Sequence, residues 1–291
     1  MTDISHPLKP KPERPIDPLT LLVIGKIQQA ADRLGLEVFV VGAVARIILL
    51  ENIHGLNAGR ATTDVDCAFA VDHWEQFHAI RTLLLENPAF SASEHVAHRL
   101  YFRAPGSEHP ATIDLIPFGG VETDQYTVAW PPDMAILMSV AGFRDAFAAA
   151  VRVEVRPGLE IPVASLPGIT LLKLFAWAER RQENPKDALD LLALLRSYHQ
   201  AGNEHRIYEQ PSARAALEAT EYDPELAGAW LLGNDVATMA STTTVAALEA
   251  LLNGATMDRL IEDMSRAMKG REDAMDHAHR LLEQFTKSFT A

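Results

Sequence analysis

The sequence predicts an α/β domain followed by a helical domain. Three observations carry that prediction. Up to residue 163, apolar runs with strand alternation interleave with stretches of helical spacing. After Ser165-Leu166-Pro167-Gly168 the strand-like runs stop and helical spacing alone remains. Between them, Thr62-Thr63-Asp64-Val65-Asp66-Cys67-Ala68-Phe69-Ala70-Val71 reads as a strand with two carboxylates at its entrance. Side chains alternate on a strand, so Asp64 and Asp66 share one face while Val65, Cys67 and Phe69 enter a core.

Residues 1–18 place Pro7, Pro10, Pro12, Pro15 and Pro18 among charged residues and read as an extended tail. A helix is expected over 19–34, ended by Gly35, and a strand over 37–41. Gly42 breaks that strand, and 43–52 has helical spacing. Residues 54–61 form a Gly- and Asn-rich loop leading to Asp64. A helix over 73–87 closes at Pro88, and short strands follow near 90–93 and 99–103. The strand over 112–117 carries Asp114 and ends at Gly119-Gly120. Short β pieces fill 121–163, with a helix near 143–150 and alternation at Val151, Val153 and Val155. Helices are then expected near 169–182, 186–199, 211–220, 223–231, 243–252, 256–267 and 271–288. The expected organisation is a Pro-rich tail (1–18), a first domain (19–163) and a helical domain (164–291).

The 291 residues, 48 % of them hydrophobic, can build cores of that size. Cys67 is the single cysteine, so no intrachain disulfide forms and a reducing cytoplasm is the expected location. No apolar run is long enough to span a bilayer, so no membrane partner is expected, and the N-terminus lacks the apolar core of a signal peptide. The net charge is −13, divided as −7 for residues 1–163 and −6 for 164–291. Neither half is a basic nucleic-acid module, so any RNA contact requires a local patch.

Two neighbouring carboxylates repel each other and resist desolvation; a solvated Asp-rich turn before the strand is one arrangement that accommodates such a pair, and a bound divalent cation is another. Asp114, between Ile113 and Leu115, needs a partner too: an arginine or a helix N-terminus is one, a metal shared with Asp64 and Asp66 another. Oxygen ligands select Mg²⁺ or Mn²⁺ over zinc. Gly42 between strand and helix lets backbone N–H groups approach an anion. A phosphate-binding turn, an Asp-x-Asp strand and a further strand Asp are the parts of a metal-dependent nucleotidyl transferase. Lys173 is either a lysine on a packed helix or a phosphate contact assisted by Arg180. Asp187 and Asp190 are neighbours in a first helical turn, where the helix dipole alone favours them. Arg99, Tyr101 and Arg103 alternate on one strand face and suit the lining of a nucleotide cleft and an exposed strand face equally. The histidine pairs His95/His98 and His277/His279 lack the companions of a metal site.

These residues resemble the AbiEii/AbiGii-type nucleotidyltransferase toxins of bacterial toxin–antitoxin systems. The resemblance runs from Phe39 to Tyr198. It rests on Val41-Gly42-Ala43 with Arg46, Arg60-x-Thr62-Thr63-Asp64-x-Asp66, and Ile113-Asp114-Leu115-Ile116-Pro117-Phe118-Gly119. Trp130-Pro131-Pro132, Leu172-Lys173 and Lys186-Asp187-x-x-Asp190-Leu191 complete it. It implies a nucleotidyltransferase fold, a mixed sheet with helices, followed by a helical domain. It implies Asp64, Asp66 and Asp114 as catalytic metal ligands, and Gly42, Ala43, Arg46, Thr63, Lys173, Asp187 and Asp190 as substrate-binding residues. One departure is the phosphate turn, where the usual Gly-Ser is Gly42-Ala43 and no hydroxyl is present.

The resulting expectation is transfer of a nucleoside monophosphate from an NTP to a hydroxyl, with Mg²⁺ or Mn²⁺ as cofactor and pyrophosphate released. The resemblance makes an RNA 3′ end, tRNA foremost, the expected acceptor, and an antitoxin protein a partner. An RNA acceptor needs a basic rim, for which Arg46, Arg60, Arg99, Arg103, Lys173, Arg180 and Arg181 are available. Two other readings share the fold: a small-molecule transferase acting on aminoglycosides, and a non-catalytic binding protein.

Overall fold

The computed structural model describes residues 6–123, 126–181, 186–268 and 270–290. Residues 1–5 of the expected tail, 124–125 of the expected β pieces and 182 of an expected helix lie outside the described residues. The chain divides into two compact units, Met1–Ile53 with Ala61–Ser165, and His54–Arg60 with Leu166–Ala291.

Among the described residues nine strands lie in the first unit: β1 (Glu37–Val41), β2 (Val65–Val71), β3 (Phe90–Ala92), β4 (Arg99–Phe102), β5 (Ala111–Gly119), β6 (Thr127–Trp130), β7 (Ile136–Ser139), β8 (Val151–Arg156) and β9 (Leu159–Val163). Seven make one mixed sheet in the order β3-β4-β5-β2-β1-β9-β8, and β6 and β7 form a separate hairpin. β2 runs parallel to β5, and β1 parallel to β9. The helices of this unit are α1 (Pro18–Leu34), α2 (Gly42–Ile47), α3 (Trp74–Leu85) and α4 (Phe143–Ala148).

The apolar alternation of β2 and β5 puts Val65, Cys67, Phe69, Ile113 and Leu115 in the core, each at most 1 % exposed. Phe39 of β1 meets Phe118 and Phe147 at ring-centroid distances of 5.8 and 5.3 Å. Removing one such buried ring costs about 3–5 kcal/mol. α2 is shorter than the spacing predicted, because Ile48–Ile53 continues it as a π-helical turn.

The Pro-rich segment is docked. Leu8 donates to the Arg152 carbonyl at 2.9 Å and accepts from the Glu154 amide at 2.8 Å, extending the β8 edge. Asn52 Nδ2 donates to the carbonyls of Arg14 and Pro15, both at 3.2 Å. These bonds satisfy backbone that Pro-rich sequence cannot satisfy internally.

The second unit holds α5 (Leu166–Arg180), α6 (Lys186–Ser197), α7 (Glu204–Glu209), α8 (Pro211–Ala219), α9 (Pro224–Met239), α10 (Thr242–Leu251), α11 (Gly254–Ser265) and α12 (Ala274–Lys287). α7 was not expected; its six residues are too few to show a periodic face. α9 runs to Met239 rather than stopping near 231. Gly233 lies inside it because a Cβ there would sit 2.1 Å from the Phe285 carbonyl of α12. The glycine thus permits a close helix crossing. Trp177 Nε1 donates to Asp263 at 3.0 Å, tying α5 to α11. No helix of the described residues is long and apolar enough to cross a membrane.

Candidate active site

The carboxylate face of the first unit is built by strand register. Asp66 of β2 faces Asp114 of β5 as a Cα partner, and Asp114 faces Arg99 of β4. On its other side, Asp66 pairs with Val41, the last residue of β1. Paired residues of neighbouring strands share a face, so Asp66, Asp114 and Arg99 project from the same side of the sheet. Asp64 lies just before β2 and is exposed, its amide donating to the Thr62 hydroxyl at 3.1 Å. Thr63 is likewise exposed in this approach.

Gly42 opens α2 with φ at +69°. A Cβ added there would lie 2.0 Å from Asp66 Oδ2. The Asp66 carboxylate therefore occupies the space that any other residue's side chain would need, beside the first N–H groups of the helix. Both constraints, space and a left-handed φ, select glycine. Ala43 follows as a buried residue. Arg46 is completely buried on α2 and so cannot belong to a basic rim.

Asp114 has an arginine partner. Arg99 Nε and Nη2 donate to its two oxygens, each at 2.8 Å. That hydrogen-bonded pair, with Asp64 close enough to add its own charge, raises the Arg99 pKa. His98 Nε2 lies 4.0 Å from Asp114, and its ring is 5.2 Å from that of Trp130. Burial holds the His98 imidazole below its usual value, opposed by Asp114 and reinforced by Arg99, so the ring is neutral at pH 7. Among the described residues no three His, Cys, Asp or Glu side chains are gathered as a metal-holding group. Of the three expected carboxylates, Asp66 and Asp114 stand side by side, Asp64 lies at the entrance, and Arg99 is bonded to Asp114. Mg²⁺ is held by one or two carboxylates together with substrate phosphates, so Asp64 and Asp66 remain a fitting donor set.

Lys173, Asp187 and Asp190 come together in the second unit. Lys173 Nζ contacts Asp187 Oδ1 and Asp190 Oδ2, both at 2.7 Å, and all three residues are buried. Arg180 Nε donates to Asp187 at 2.8 Å, and Arg60 Nε to Asp190 at 3.3 Å. Burial pushes the Asp187 carboxyl up, but the Arg180 hydrogen bonds and the Lys173 charge outweigh it and hold the group below its usual value. Lys173 is thus neither a lysine reaching for solvent nor an open phosphate contact; its ammonium is engaged by two carboxylates. Arg180 and Arg60 stay partly exposed, with side chains 54 % and 32 % accessible.

Of the expected rim, Arg103 donates to the Glu108 carbonyl at 3.2 Å, and Arg181 lies over the Trp177 ring at 5.3 Å. Arg46 and Lys173 drop out by burial. Sequence reading missed the Arg99–Asp114 register. The alternation of Arg99, Tyr101 and Arg103 showed the face but not the partner across it. Cys67 is buried, and burial pushes its thiol pKa up, which leaves it a packing residue.

Residues 41–285 match the protein family described as "Nucleotidyl transferase AbiEii toxin, Type IV TA system". No curated protein sequence matches. Among solved structures, an antigenic nucleotidyltransferase-like protein from Paracoccidioides brasiliensis is similar at 18 % identity and a TM-score of 0.41, covering 69 % of this chain and 92 % of its own. The antibiotic-resistance factor ANT(2″)-Ia, solved in complex with adenylyl-2″-tobramycin, is similar at 16 % identity and a TM-score of 0.37, covering 69 % and 98 %. The solution structure of ANT(2″)-Ia is similar at 15 % identity and a TM-score of 0.35, covering 69 % and 96 %.

Proposed function

This chain belongs to the AbiEii family of nucleotidyl transferase toxins, and from that membership we propose that it moves a nucleoside monophosphate from an NTP to a hydroxyl of an RNA 3′ end. The observation that carries the reading is the lodging of Asp66 Oδ2 in the space above Gly42, 2.0 Å from where a Cβ would lie. It brings a carboxylate of the sheet against the turn suited to phosphate.

Gly42 and Ala43 offer backbone N–H groups at the start of α2 to the phosphates, as helix N-termini do. Asp64 and Asp66 would hold a Mg²⁺ or Mn²⁺ ion, which would supply positive charge to the triphosphate and acidity to the attacking hydroxyl. Attack forms the bond from the acceptor oxygen to the α-phosphorus and breaks the bond to the β-phosphate, so pyrophosphate leaves. The hydroxyl proton passes to Asp114. A carboxylate has about four lone-pair sites, so Asp114 keeps two after Arg99 is bound, and Arg99 orients it. Lys173, Asp187 and Asp190 frame the helical unit, with Arg60 and Arg180 on its exposed side.

The acceptor assignment rests on family membership and on the partly exposed arginines Arg60, Arg99 and Arg180. An antitoxin protein is the partner this family membership suggests. The test is to incubate the protein with Mg²⁺ and each α-labelled NTP in the presence of total tRNA, an aminoglycoside or protein extract. Label in tRNA, absent with Asp64→Ala, is the expected result. Label in the aminoglycoside alone would replace the acceptor, and label in none would contradict the assignment.

A further inference from the structure

We propose that β4 is the acceptor side of the site, and that the Tyr101 ring stacks on the base at the 3′ end of the RNA. The inference rests on the transferase reading, which puts the triphosphate at Gly42 and Ala43. Val41, Asp66, Asp114 and Arg99 are successive register partners on β1, β2, β5 and β4. Neighbouring strands lie about 4.8 Å apart, so the row runs roughly 14 Å from Val41, beside the phosphate turn, to Arg99. In an in-line displacement the attacking oxygen stands opposite the leaving group. With pyrophosphate leaving at the β1 end and Asp114 in mid-row, the acceptor enters from the β4 end.

Along the strands this face differs in its two directions. Beyond Asp66 and Asp114 lie Ala68 and, farther on, Phe118, both buried. Phe118 packs on Phe143 and Phe147 of α4 at ring-centroid distances of 6.0 and 5.6 Å. In the other direction the next row is Thr112, Tyr101 and Ser91, partners on β5, β4 and β3. Thr112 and Tyr101 are half-buried and Ser91 is exposed. An acceptor whose hydroxyl reaches Asp114 therefore extends over Tyr101, since α4 covers the Phe118 end.

The side chains there suit the end of a nucleic-acid strand. Tyr101 is two residues from Arg99, a rise of about 7 Å along the strand, and is near enough to act on the charge of that guanidinium. Arg99 is committed to Asp114 by two hydrogen bonds. Arg103, two residues past Tyr101, is exposed and donates to a neutral acceptor, the Glu108 carbonyl, at 3.2 Å. Its positive charge is thus placed for the phosphate that follows the terminal nucleoside. Bases stack on aromatic side chains whatever their identity, and arginines beside the ring meet the backbone.

The test has two arms, both on the full chain. In the first, a short RNA with photoreactive thiouridine at its 3′ end is irradiated with the unaltered protein, and the attached peptide is identified by mass spectrometry. Attachment at Tyr101 or its β4 neighbours is expected; attachment elsewhere, or none, would overturn the assignment. In the second, transfer to tRNA is compared in Tyr101→Ala and Tyr101→Phe. Tyr101→Ala should raise the KM for RNA about tenfold at unchanged KM for NTP, and Tyr101→Phe should restore it, because stacking uses the ring and not the hydroxyl. An unchanged KM for RNA in Tyr101→Ala, an equal rise in both KM values, or no restoration by Tyr101→Phe would overturn the stacking role. The irradiation needs neither a variant nor turnover, so it decides the question even if Tyr101→Ala fails to fold. Attachment at β4 without any transfer would count against the transferase reading alone, and transfer to tRNA without attachment at β4 against the Tyr101 assignment alone.

Discussion

Arg99 and Asp114 face each other in register across β4 and β5 and are joined by two hydrogen bonds of 2.8 Å. The pair explains how a carboxylate flanked by Ile113 and Leu115 stays on a sheet face. It also fixes the plane of that carboxylate next to Asp66.

The first prediction follows from this pairing. Arg99→Gln and Asp114→Asn should each lower stability, and the double variant should lose less than the sum. Charge-assisted hydrogen bonds contribute about 1.5–3 kcal/mol, reduced here by the partial exposure of Arg99, so a coupling of about 1 kcal/mol is expected. Urea denaturation of the four proteins measures it. Additive losses would show that the pair does not hold Asp114.

Lys173→Met should be strongly destabilising. Its ammonium lies 2.7 Å from both Asp187 and Asp190, so the apolar stem alone cannot make the substitution mild. Removing one partner of a buried ion pair leaves uncompensated charge and costs about 3–5 kcal/mol, and Arg60 and Arg180 place this case toward the lower end. A melting temperature within a degree or two of the wild type would refute the buried network.

The same network gives a pH dependence. The Asp187 carboxyl lies below its usual value in the folded chain. Its stabilising contribution is therefore complete above the unfolded value of about 3.9 and is lost as pH falls through the lower folded value. Denaturation between pH 6 and 3 should show the wild type losing stability at the acid end, with a smaller acid loss in Asp187→Asn. Equal slopes would mean that Asp187 titrates alike folded and unfolded.

Much of this was legible in the sequence, for physical reasons that also mark its limits. Strand alternation put Val65, Cys67 and Phe69 inward, where the structure has them buried. Periodicity found the long α1, which runs to Leu34 as expected. The Asp-x-Asp motif pointed to Asp66, because two like charges two residues apart require an explanation. What alternation cannot give is register, and Arg99 opposite Asp114 is a register fact. Nor does local sequence show which cation a buried carboxylate will find: Asp190 meets Arg60 from a distant loop. Gly233 inside α9 reads as a helix breaker until the Phe285 carbonyl of α12 is placed beside it.

Gly42→Ala should disable the site with the sheet retained. The new methyl would stand 2.0 Å from Asp66 Oδ2, at a φ of +69°. The left-handed backbone alone costs about 1–2 kcal/mol, and the contact forces the carboxylate aside. Circular dichroism should report a folded protein, while NTP binding falls. An Ala variant that binds NTP as the wild type does would separate the turn from the phosphates.

The most direct measurement of the central claim is pyrophosphate release from each NTP with Mg²⁺ and total tRNA, comparing the wild type with Asp66→Asn at matched melting temperature. Release by the wild type, dependent on added metal and reduced at least about a hundredfold in Asp66→Asn, is the predicted result, since a lost metal ligand removes several kcal/mol of transition-state stabilisation. Equal release by both proteins would contradict the role given to Asp66. No release by the wild type with any NTP in Mg²⁺ or Mn²⁺ would contradict transfer to RNA itself.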